Sequence, residues 1–389
     1  VDSWIIDGKK VQSTQKPTIV SSTLTWEKVT TLDLGLDARF FNDALGVTFD
    51  WYNRTTSDIL TTANLPATLG ADAPYENMGT IQTKGWELAI DYRHTFKNGL
   101  HFGVTASVAD DKTEVTKWTY NTKIPSYGAT GWWDKSAYKE GMVLGDIWGL
   151  QFDRFLTEDD FNADGSLKAG LPDQTKVFPA GYQFAPGDVL YKDLDNNGEI
   201  VKQTNTNDKG DLSVIGNALP RLQFGLNLDA AWKGFDISMF FQGVAKRKLW
   251  AAGNQVLPGF TTGEPFYKGA EDYWTPENTD AFYPRPMDYK QSASGNYSVN
   301  DRYLLNMAYL RLKTFTVGYS LPKVWLSKFK VQGLRVYFTG ENLFTIDGVK
   351  PAIDPEIGIR TASGKSDQRN FGRSYPYQKT VSFGIQLSL

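Results

Sequence analysis

Val381-Ser-Phe-Gly-Ile-Gln-Leu-Ser-Leu389 closes the sequence, and it alternates apolar with polar residues without a break. Val381, Phe383, Ile385, Leu387 and Leu389 would line one face of a strand, and Ser382, Gly384, Gln386 and Ser388 the other. Water-soluble domains rarely finish on a flush, half-apolar strand, because an end that is not tied down frays. Membrane barrels do finish this way, since the last strand must pair with the first to close the sheet. This segment favours a transmembrane barrel over a soluble sandwich, and the rest of the sequence tests that preference.

The 389 residues are too many for one small core and would ordinarily imply two or three domains. No repeat or low-complexity linker marks a boundary, however, so a single barrel domain over residues 1–389 is expected. Lys and Arg total 41 against 44 Asp and Glu, which leaves no basic excess to point to nucleic acid. Aromatics reach 14%, with 12 Trp, 19 Tyr and 23 Phe, a wealth that suits the interfacial girdles of a barrel and equally suits carbohydrate stacking surfaces. A mean hydropathy of -0.39 fits a barrel, whose strands alternate and whose loops are wet. No run of about 18 apolar residues is present to form a membrane-spanning helix. Cysteine is absent, so disulfides and thiolate metal sites are excluded. The opening Val-Asp-Ser-Trp-Ile-Ile-Asp lacks the features of a signal peptide, which leads to the expectation of a processed chain or a piece of a longer one.

Period-two alternation predicts about ten strands. Thr25–Phe41 and Leu45–Arg54 form the first pair, Thr83–Phe96 and Leu100–Asp110 the second, and Gly145–Phe155 a weaker single strand. Leu219–Trp232, Phe235–Val244, Tyr309–Tyr319, Leu334–Leu343 and Tyr377–Leu389 complete the set. Tight turns at Phe41–Ala44, Lys97–Gly99 and Lys233–Gly234 alternate with long connections at Thr55–Gln82, Asn121–Leu144, Thr157–Ala218, Lys246–Arg302 and Ile346–Pro376. Short turns on one rim and long loops on the other describe a bacterial outer-membrane barrel. A large secreted β-sandwich, or a carbohydrate-binding or glycosidase-like β-protein, also alternates and stays open on this pattern alone.

Short motifs narrow the choice. Ser22-Thr-Leu-Thr-Trp-Glu-Lys28, Leu34-Gly-Leu-Asp37, Asp50-Trp-Tyr-Asn-Arg54, Asn77-Met-Gly-Thr-Ile81 and Thr83-Lys-Gly-Trp-Glu-Leu88 resemble, in order, segments of TonB-dependent outer-membrane transporters of the SusC/RagA type. Tyr191-Lys-Asp-Leu-Asp-Asn-Asn-Gly198, Val214-Ile-Gly-Asn217, Gly234-Phe-Asp-Ile-Ser238 and Phe241-Gln-Gly243 continue the likeness. Tyr273-Trp-Thr-Pro-Glu-Asn278, Tyr309-Leu-Arg-Leu-Lys313, Glu341-Asn-Leu-Phe344 and Asp354-Pro-Glu356 carry it to the end. The resemblance implies an all-β fold, the C-terminal portion of a transmembrane antiparallel β-barrel of about 22 strands that carries a plug. It also implies import of oligosaccharides or oligopeptides through the outer membrane of a Gram-negative, Bacteroidetes-like cell. A SusD-like surface lipoprotein would act as lid and TonB as the energy source, the latter reached through an N-terminal region that this sequence lacks. One departure is the terminal Leu389, where such barrels usually end on an aromatic.

Asp193-Leu-Asp195-Asn-Asn197-Gly198-Glu199-Ile200 places oxygen ligands at positions 1, 3 and 5 and a turn-making Gly at 6, the first half of a calcium loop. Thr204 stands where the closing carboxylate belongs; if Thr204–Gly210 is an insertion, Asp211 takes that place. The predicted ligands of a structural Ca²⁺ are then Asp193, Asp195, Asn197, the Glu199 carbonyl and Asp211, and a metal-free Asp/Asn/Gly turn is the alternative. Asp159, Asp160, Asn162 and Asp164-Gly165 read as a turn.

Catalytic motifs are missing: no G-x-S-x-G, H-E-x-x-H or P-loop occurs, and His94 and His101, which flank one hairpin turn, read as rim residues. Glu87 and Asp91 read as part of a polar inner face, with a glycosidase pair left to geometry. The cargo hint lies in aromatic residues of the long connections, above all Trp132, Trp133, Trp148, Trp250, Tyr273 and Trp274, with Phe266 and Tyr267 among their neighbours. Flat rings suit sugars, peptides or a partner's surface, or they simply pack the loops together.

Overall fold

The computed structural model describes residues 3–12, 21–62, 74–119, 138–205, 208–251, 253, 255–259, 266–287, 295–326, 331–350, 353–356, 361–362, 365–366 and 377–388. Nine strands form one antiparallel sheet. They are β1 (Lys28–Phe40), β2 (Leu45–Thr62), β3 (Tyr75–Thr95), β4 (His101–Trp118), β5 (Arg221–Trp232), β6 (Phe235–Lys246), β7 (Tyr309–Ser320), β8 (Gly333–Asp347) and β9 (Thr380–Ser388). Among the described residues each pairs only with its neighbours in this order, so the sheet is a plain meander with β1 at one edge and β9 at the other. The opening strand and the closing strand do not meet, and the sheet is an open wall.

The pairing register shows why this wall has two unlike faces. Ala38, Val47, Ile90, Ala106, Leu226, Phe241, Leu312 and Phe344 are successive cross-strand partners from β1 to β8. One residue further along, Asp37, Thr48, Ala89, Ser107, Gly225, Gln242, Arg311 and Thr345 form the adjoining row. Because side chains alternate across a pleat, the first row and its equivalents make a continuous apolar face and the second a polar one. In water the apolar face would have to be covered by a second layer. Among the described residues it is not: Leu34 and Leu36 are each 60% exposed and Phe383 83%. The buried clusters lie in the connections and the outermost strand ends instead. An apolar sheet face of this extent without protein cover is what lipid contact requires, and the sandwich reading fails on it.

All short turns lie on one rim. Lys233 and Gly234, with φ of 50° and 89°, supply the two left-handed residues of a type I′ hairpin. Phe41, Asn42 and Asp43 are likewise left-handed. Exposed Phe41, Phe96, Trp232 and Phe235 gather on this rim, joined by Trp325 of a one-turn helix, α1 (Lys323–Leu326), in the β7–β8 turn. Aromatic girdles at the ends of the strands are expected at a membrane interface, with Trp232 and Trp325 the amphipathic members here. The β2–β3, β4–β5, β6–β7 and β8–β9 connections all leave the opposite rim.

The structure departs from the sequence reading in three places. Gly145–Phe155 is not a wall strand. It divides into Asp146–Gly149, paired with Ser213–Asn217, and Phe152–Phe155, paired with Val189–Tyr191. Its apolar residues are buried inside the β4–β5 connection, Ile147 and Leu150 completely. Second, Thr55–Gln82 is largely strand, because β2 runs to Thr62 and β3 begins at Tyr75. These strand ends are rich in Thr, which supports extended backbone without giving an apolar alternation; at 18 and 21 residues they overshoot the ~9–11 residues that cross hydrocarbon. Third, and as a consequence of the first, the wall numbers nine strands among the described residues, against the about ten expected. Leu389 lies outside the described residues.

The two faces predict opposite responses to charge. Ile90→Arg, on the apolar face, should destabilise the complete barrel in bilayers by about 2–4 kcal/mol, whereas Ser107→Arg, on the polar face, should cost far less. Reversible denaturant unfolding in lipid vesicles measures both.

Candidate functional site

The polar face of the wall is concave and carries an open groove of about 560 Å³, bounded by Thr48, Asp50, Glu87, Ser107, Gln223 and Gln242 among others. Asp50 and Glu87 are direct cross-strand partners, so like charges face each other on this surface. Neighbouring charges are tied down: Arg39 holds Asp91 at 2.8 Å, and Thr48 donates to Asp37 at 2.7 Å. Glu87 and Asp91 therefore serve a polar inner surface, with Asp91 engaged by a cation. His94 stacks edge-on against Phe96 at the short-turn rim. His101 reaches Thr95 across the same hairpin, with Nδ1 3.1 Å from the Thr95 hydroxyl oxygen.

The same polar row carries a feature that sequence reasoning missed. Arg311 of β7 is 4% exposed and donates from Nε to the Thr345 hydroxyl at 2.8 Å, from Nη2 to Asp354 at 2.7 Å and from Nη1 to Glu356 at 3.1 Å. Lys313 adds contacts of 3.0 and 2.9 Å to the two Glu356 oxygens. The Tyr377 ring covers both cations, at 5.2 Å from the guanidinium and 4.5 Å from the ammonium. Asp354 also accepts the N–H groups of Glu356 and Tyr377. Burial opposes its ionisation, but Arg311 and these N–H donors outweigh that and hold its pKa below the usual range. Asp354 and Glu356 belong to the β8–β9 connection, so the cluster latches that connection onto the polar face of the wall. Lys313 is the extra residue of a bulge against β6, and opposite it on β8 Asn342 is left-handed, with φ of 51°. The motifs Tyr309–Lys313 and Asp354–Glu356 were visible in the sequence, but nothing in a separation of some forty residues shows that their charges meet.

The long connections are a second folded body. Ile147 and Ala218 of the β4–β5 connection share one cluster with Leu249, Leu257, Tyr303 and Met307 of the β6–β7 connection and with Val349 and Ile353. A further cluster joins Leu150, Val177, Tyr191 and Leu212 to Trp274 and Ala281. Polar groups fix its parts: fully buried Asp188 takes Arg285 at 2.8 and 3.1 Å and accepts from Asn296 and Tyr182. Asp160 receives Arg154 bidentately at 2.6 and 2.7 Å and caps Thr157; the Arg154 hydrogen bond is the main cause that brings its carboxyl down to about 2. Asp164 accepts from both the N–H and hydroxyl of Ser166, as a turn residue does.

Within this body three of the five residues expected to bind calcium, Asp193, Asp195 and Asp211, converge. Lys202–Asn205 and Asp208–Gly210 form a hairpin that returns the chain to Asp211. One oxygen each from Asp193, Asp195 and Asp211 then lies within 4.8 Å of the others. Asp211 is completely buried and accepts the N–H groups of Leu194 at 2.8 Å and Val201 at 2.7 Å. Asp193 accepts from Gly198 at 2.8 Å, and left-handed Asn196 and Gly198 make the sharp turn. Asn197 caps Glu199 through its side-chain oxygen at 2.8 Å, while the Glu199 carboxylate pairs with Lys176.

The aromatic residues expected to face cargo divide. Trp250 and Trp274 are core residues, 3% and 7% exposed, in the two clusters above; their flat faces are consumed in packing the loops on one another. Trp148 is half-buried at the edge of the second cluster with the Lys139 ammonium 5.6 Å from its ring. Tyr273 is 40% exposed and lines a second cavity of about 570 Å³ in the β6–β7 connection, together with Phe266 and Tyr267. Trp132 and Trp133 lie outside the described residues.

A meander whose apolar face is bare, whose polar face is hollow and whose long loops stand on one rim defines the wall of a transmembrane β-barrel. The family model for TonB-dependent receptor-like β-barrels matches residues 5–343, and the chain belongs to that family. It is similar to TonB-dependent receptor P3 of Formosa agariphila, 27% identical over 98% of this chain and 36% of that protein. It is also similar to TonB-dependent receptor SusC of Bacteroides thetaiotaomicron, 24% identical over 98% of this chain and 34% of that one. Among solved structures, the RagAB peptide transporter shares the fold, with a TM-score of 0.62 and 21% identity over 94% of this chain and 36% of its own. The chain thus spans about a third of the length of the relatives it matches.

The latch predicts a specific pattern of damage. Glu356→Gln or Asp354→Asn leaves Arg311 buried without full compensation and should cost about 3–5 kcal/mol. Lys313→Met should cost less, since Lys313 is 21% exposed. Limited proteolysis of the β8–β9 connection, followed by mass spectrometry, ranks the three.

Proposed function

We propose that this chain forms part of an outer-membrane active transporter powered by TonB. It would import oligosaccharides or oligopeptides together with a SusD-like surface lipoprotein that serves as lid. The observation that carries the reading is the wall itself: a lipid-compatible outer face and a hollow polar inner face, topped by loops folded into a cored body on a single rim. A wall of this kind has no chemistry to perform. It holds a path open, while the loop body supplies a surface on which cargo and a lid can be held until the path opens. The membership of the chain in the TonB-dependent receptor-like family supports the same reading, and so does the likeness to SusC and to the RagAB peptide transporter. A secreted glycosidase-like protein would instead need its apolar sheet face covered.

Cells carrying the complete protein test this. Uptake of a labelled oligosaccharide or oligopeptide mixture should fall to background when either TonB or the adjoining lid lipoprotein is deleted. Uptake that persists without TonB would sink the proposal.

Within the loop body, the Asp193, Asp195 and Asp211 oxygens are read as holding a structural Ca²⁺ that pins the Asp193–Asp211 excursion to the second cluster. Support comes from the ligand spacing along the sequence and from the hairpin that delivers Asp211. Calorimetric titration of the complete protein with Ca²⁺ should show one site that Asp195→Asn weakens by about tenfold or more. Heat identical in wild type and variant would refute it.

A further inference from the structure

The outward, apolar face of the wall changes character on its loop side. Leu34, Trp51, Trp86 and Asp110 are successive cross-strand partners in one outward row of β1–β4. Two indoles stand side by side in that row, and from Trp86 to Phe96 on the short-turn rim is a run of 11 residues. A tilted strand needs ~9–11 residues to cross hydrocarbon, so the Trp row marks the loop-side boundary of the bilayer. Asp110 brings no free charge to this boundary, because Arg221 donates to both of its oxygens. The next outward row towards the loops is Leu32, Asn53, Lys84 and Lys112. The two lysines are direct cross-strand partners, a placement in which like charges repel. Lys84 has no ion-pair partner among the described residues, and Lys112 meets Glu114 only at 3.5 Å, with both of those side chains about half exposed. Glu114 belongs to the row above, beside Gln82 and Thr55, and Lys117 to the row above that. On β1, Lys28 is taken by Asp58 at 3.2 Å. Three lysines therefore share one carboxylate at the height where lipid headgroups lie.

We propose that Lys84 and Lys112 bind the phosphate of a membrane glycolipid, whose acyl chains lie along the apolar rows of the same face. The argument is one of charge and continuity. Two opposed ammonium groups are best matched by a phosphate monoester, which carries a charge of about −1.5 to −2 at neutral pH. The phosphodiester of an ordinary phospholipid carries a single charge and leaves one lysine uncompensated. The row above supplies the Thr55 hydroxyl and the Gln82 amide, neutral groups that donate and accept as sugar hydroxyls do. Directly below the lysines, the indoles of Trp51 and Trp86 give way to Phe49, Leu88 and Val108, a continuous apolar track for acyl chains. Basic side chains at the headgroup level beside such a track are what recognition of an anionic lipid requires. A soluble protein partner fits poorly, since the indole row immediately beneath the lysines stays in the bilayer. The site rests on the transporter reading in one respect: it takes the loop rim as the cell exterior, so that the lipid belongs to the outer leaflet.

The test uses the complete protein in detergent, with lipid A added and the bound lipid counted by native mass spectrometry. Phosphorylated lipid A should be retained, and removing its phosphates should weaken it by about tenfold. The double substitution Lys84→Gln with Lys112→Gln should weaken binding by a similar factor. Lys84→Arg with Lys112→Arg, which keeps both charges, should retain most of it, and Lys97→Gln on the opposite rim should change nothing. The proposal is overturned if lipid A is not retained, or if the double Gln variant binds it as wild type does. Tighter binding of phosphatidylglycerol than of lipid A also overturns it, by assigning a phospholipid. So does inorganic phosphate that binds as tightly as lipid A, by assigning a free anion. TonB takes no part in this equilibrium. Lysine-dependent retention of lipid A alongside TonB-independent uptake would therefore uphold the site while overturning the transporter reading, and TonB-dependent uptake without retention would do the reverse.

Discussion

A strand in hydrocarbon has no water to satisfy its backbone N–H and C=O groups, so it must be paired along both sides. The rest of the structure follows from that constraint. It selects a meander, in which each strand is already beside its partner when the chain turns back. It forces one face of every strand to be apolar, and the register then aligns those faces into a single surface from Ala38 to Phe344. It also marks the two places where the requirement is unmet among the described residues, the outer sides of β1 and β9. In a membrane both edges need partner strands, and neither edge can supply the other's, since they lie at opposite ends of the wall.

The same division of labour explains where the core went. A wall bathed in lipid outside and hollow inside buries little, and its stability comes from the hydrogen-bond ladder and the lipid. The connections have no such support. They stand in water, and at this length they must fold or remain disordered. They fold by pooling their apolar residues: neither the β4–β5 nor the β6–β7 connection completes a cluster alone, and Ile147 needs Leu249 and Met307 as Leu150 needs Trp274. This interdependence makes the loop body one object, able to hold a shaped cavity or a cation site at a fixed height above the rim.

What the sequence showed and what it concealed divide along physical lines. The wall was legible because period two, left-handed turn residues such as Lys233-Gly234 and the family's short motifs are local signals. The convergence of Asp193, Asp195 and Asp211 was partly legible for the same reason, although the return of Asp211 depended on recognising an insertion. The strand ends of β2 and β3 were not, because Thr-rich extended backbone lacks the apolar alternation that marks a membrane crossing. Gly145–Phe155 misled in the opposite direction: buried on several sides within the loop body, its apolar residues imitate a wall strand. Trp250 and Trp274 were misplaced because an aromatic ring has the same appearance in a sequence whether it packs a core or faces a ligand. Only the partners decide, and those partners are distant along the chain.

The latch at Arg311 shows how the two bodies are joined. A strand held only by its ladder has no means of fixing a loop that leaves it, and a loop fixed only by apolar contact can slide. Arg311 and Lys313 remove that freedom by setting two cations against two carboxylates in a site that Tyr377 covers. Such a cluster is weak as a source of net stability, since desolvation offsets much of the attraction. It is strong as a specification of geometry, because any displacement strands a buried charge. The bulge at Lys313 and the left-handed Asn342 facing it break the regular ladder at this point, a distortion that re-aims side chains and that a strand serving only as barrel wall would have no reason to keep. The wall accepts local disorder in its ladder so that the last long connection has one position on the polar face.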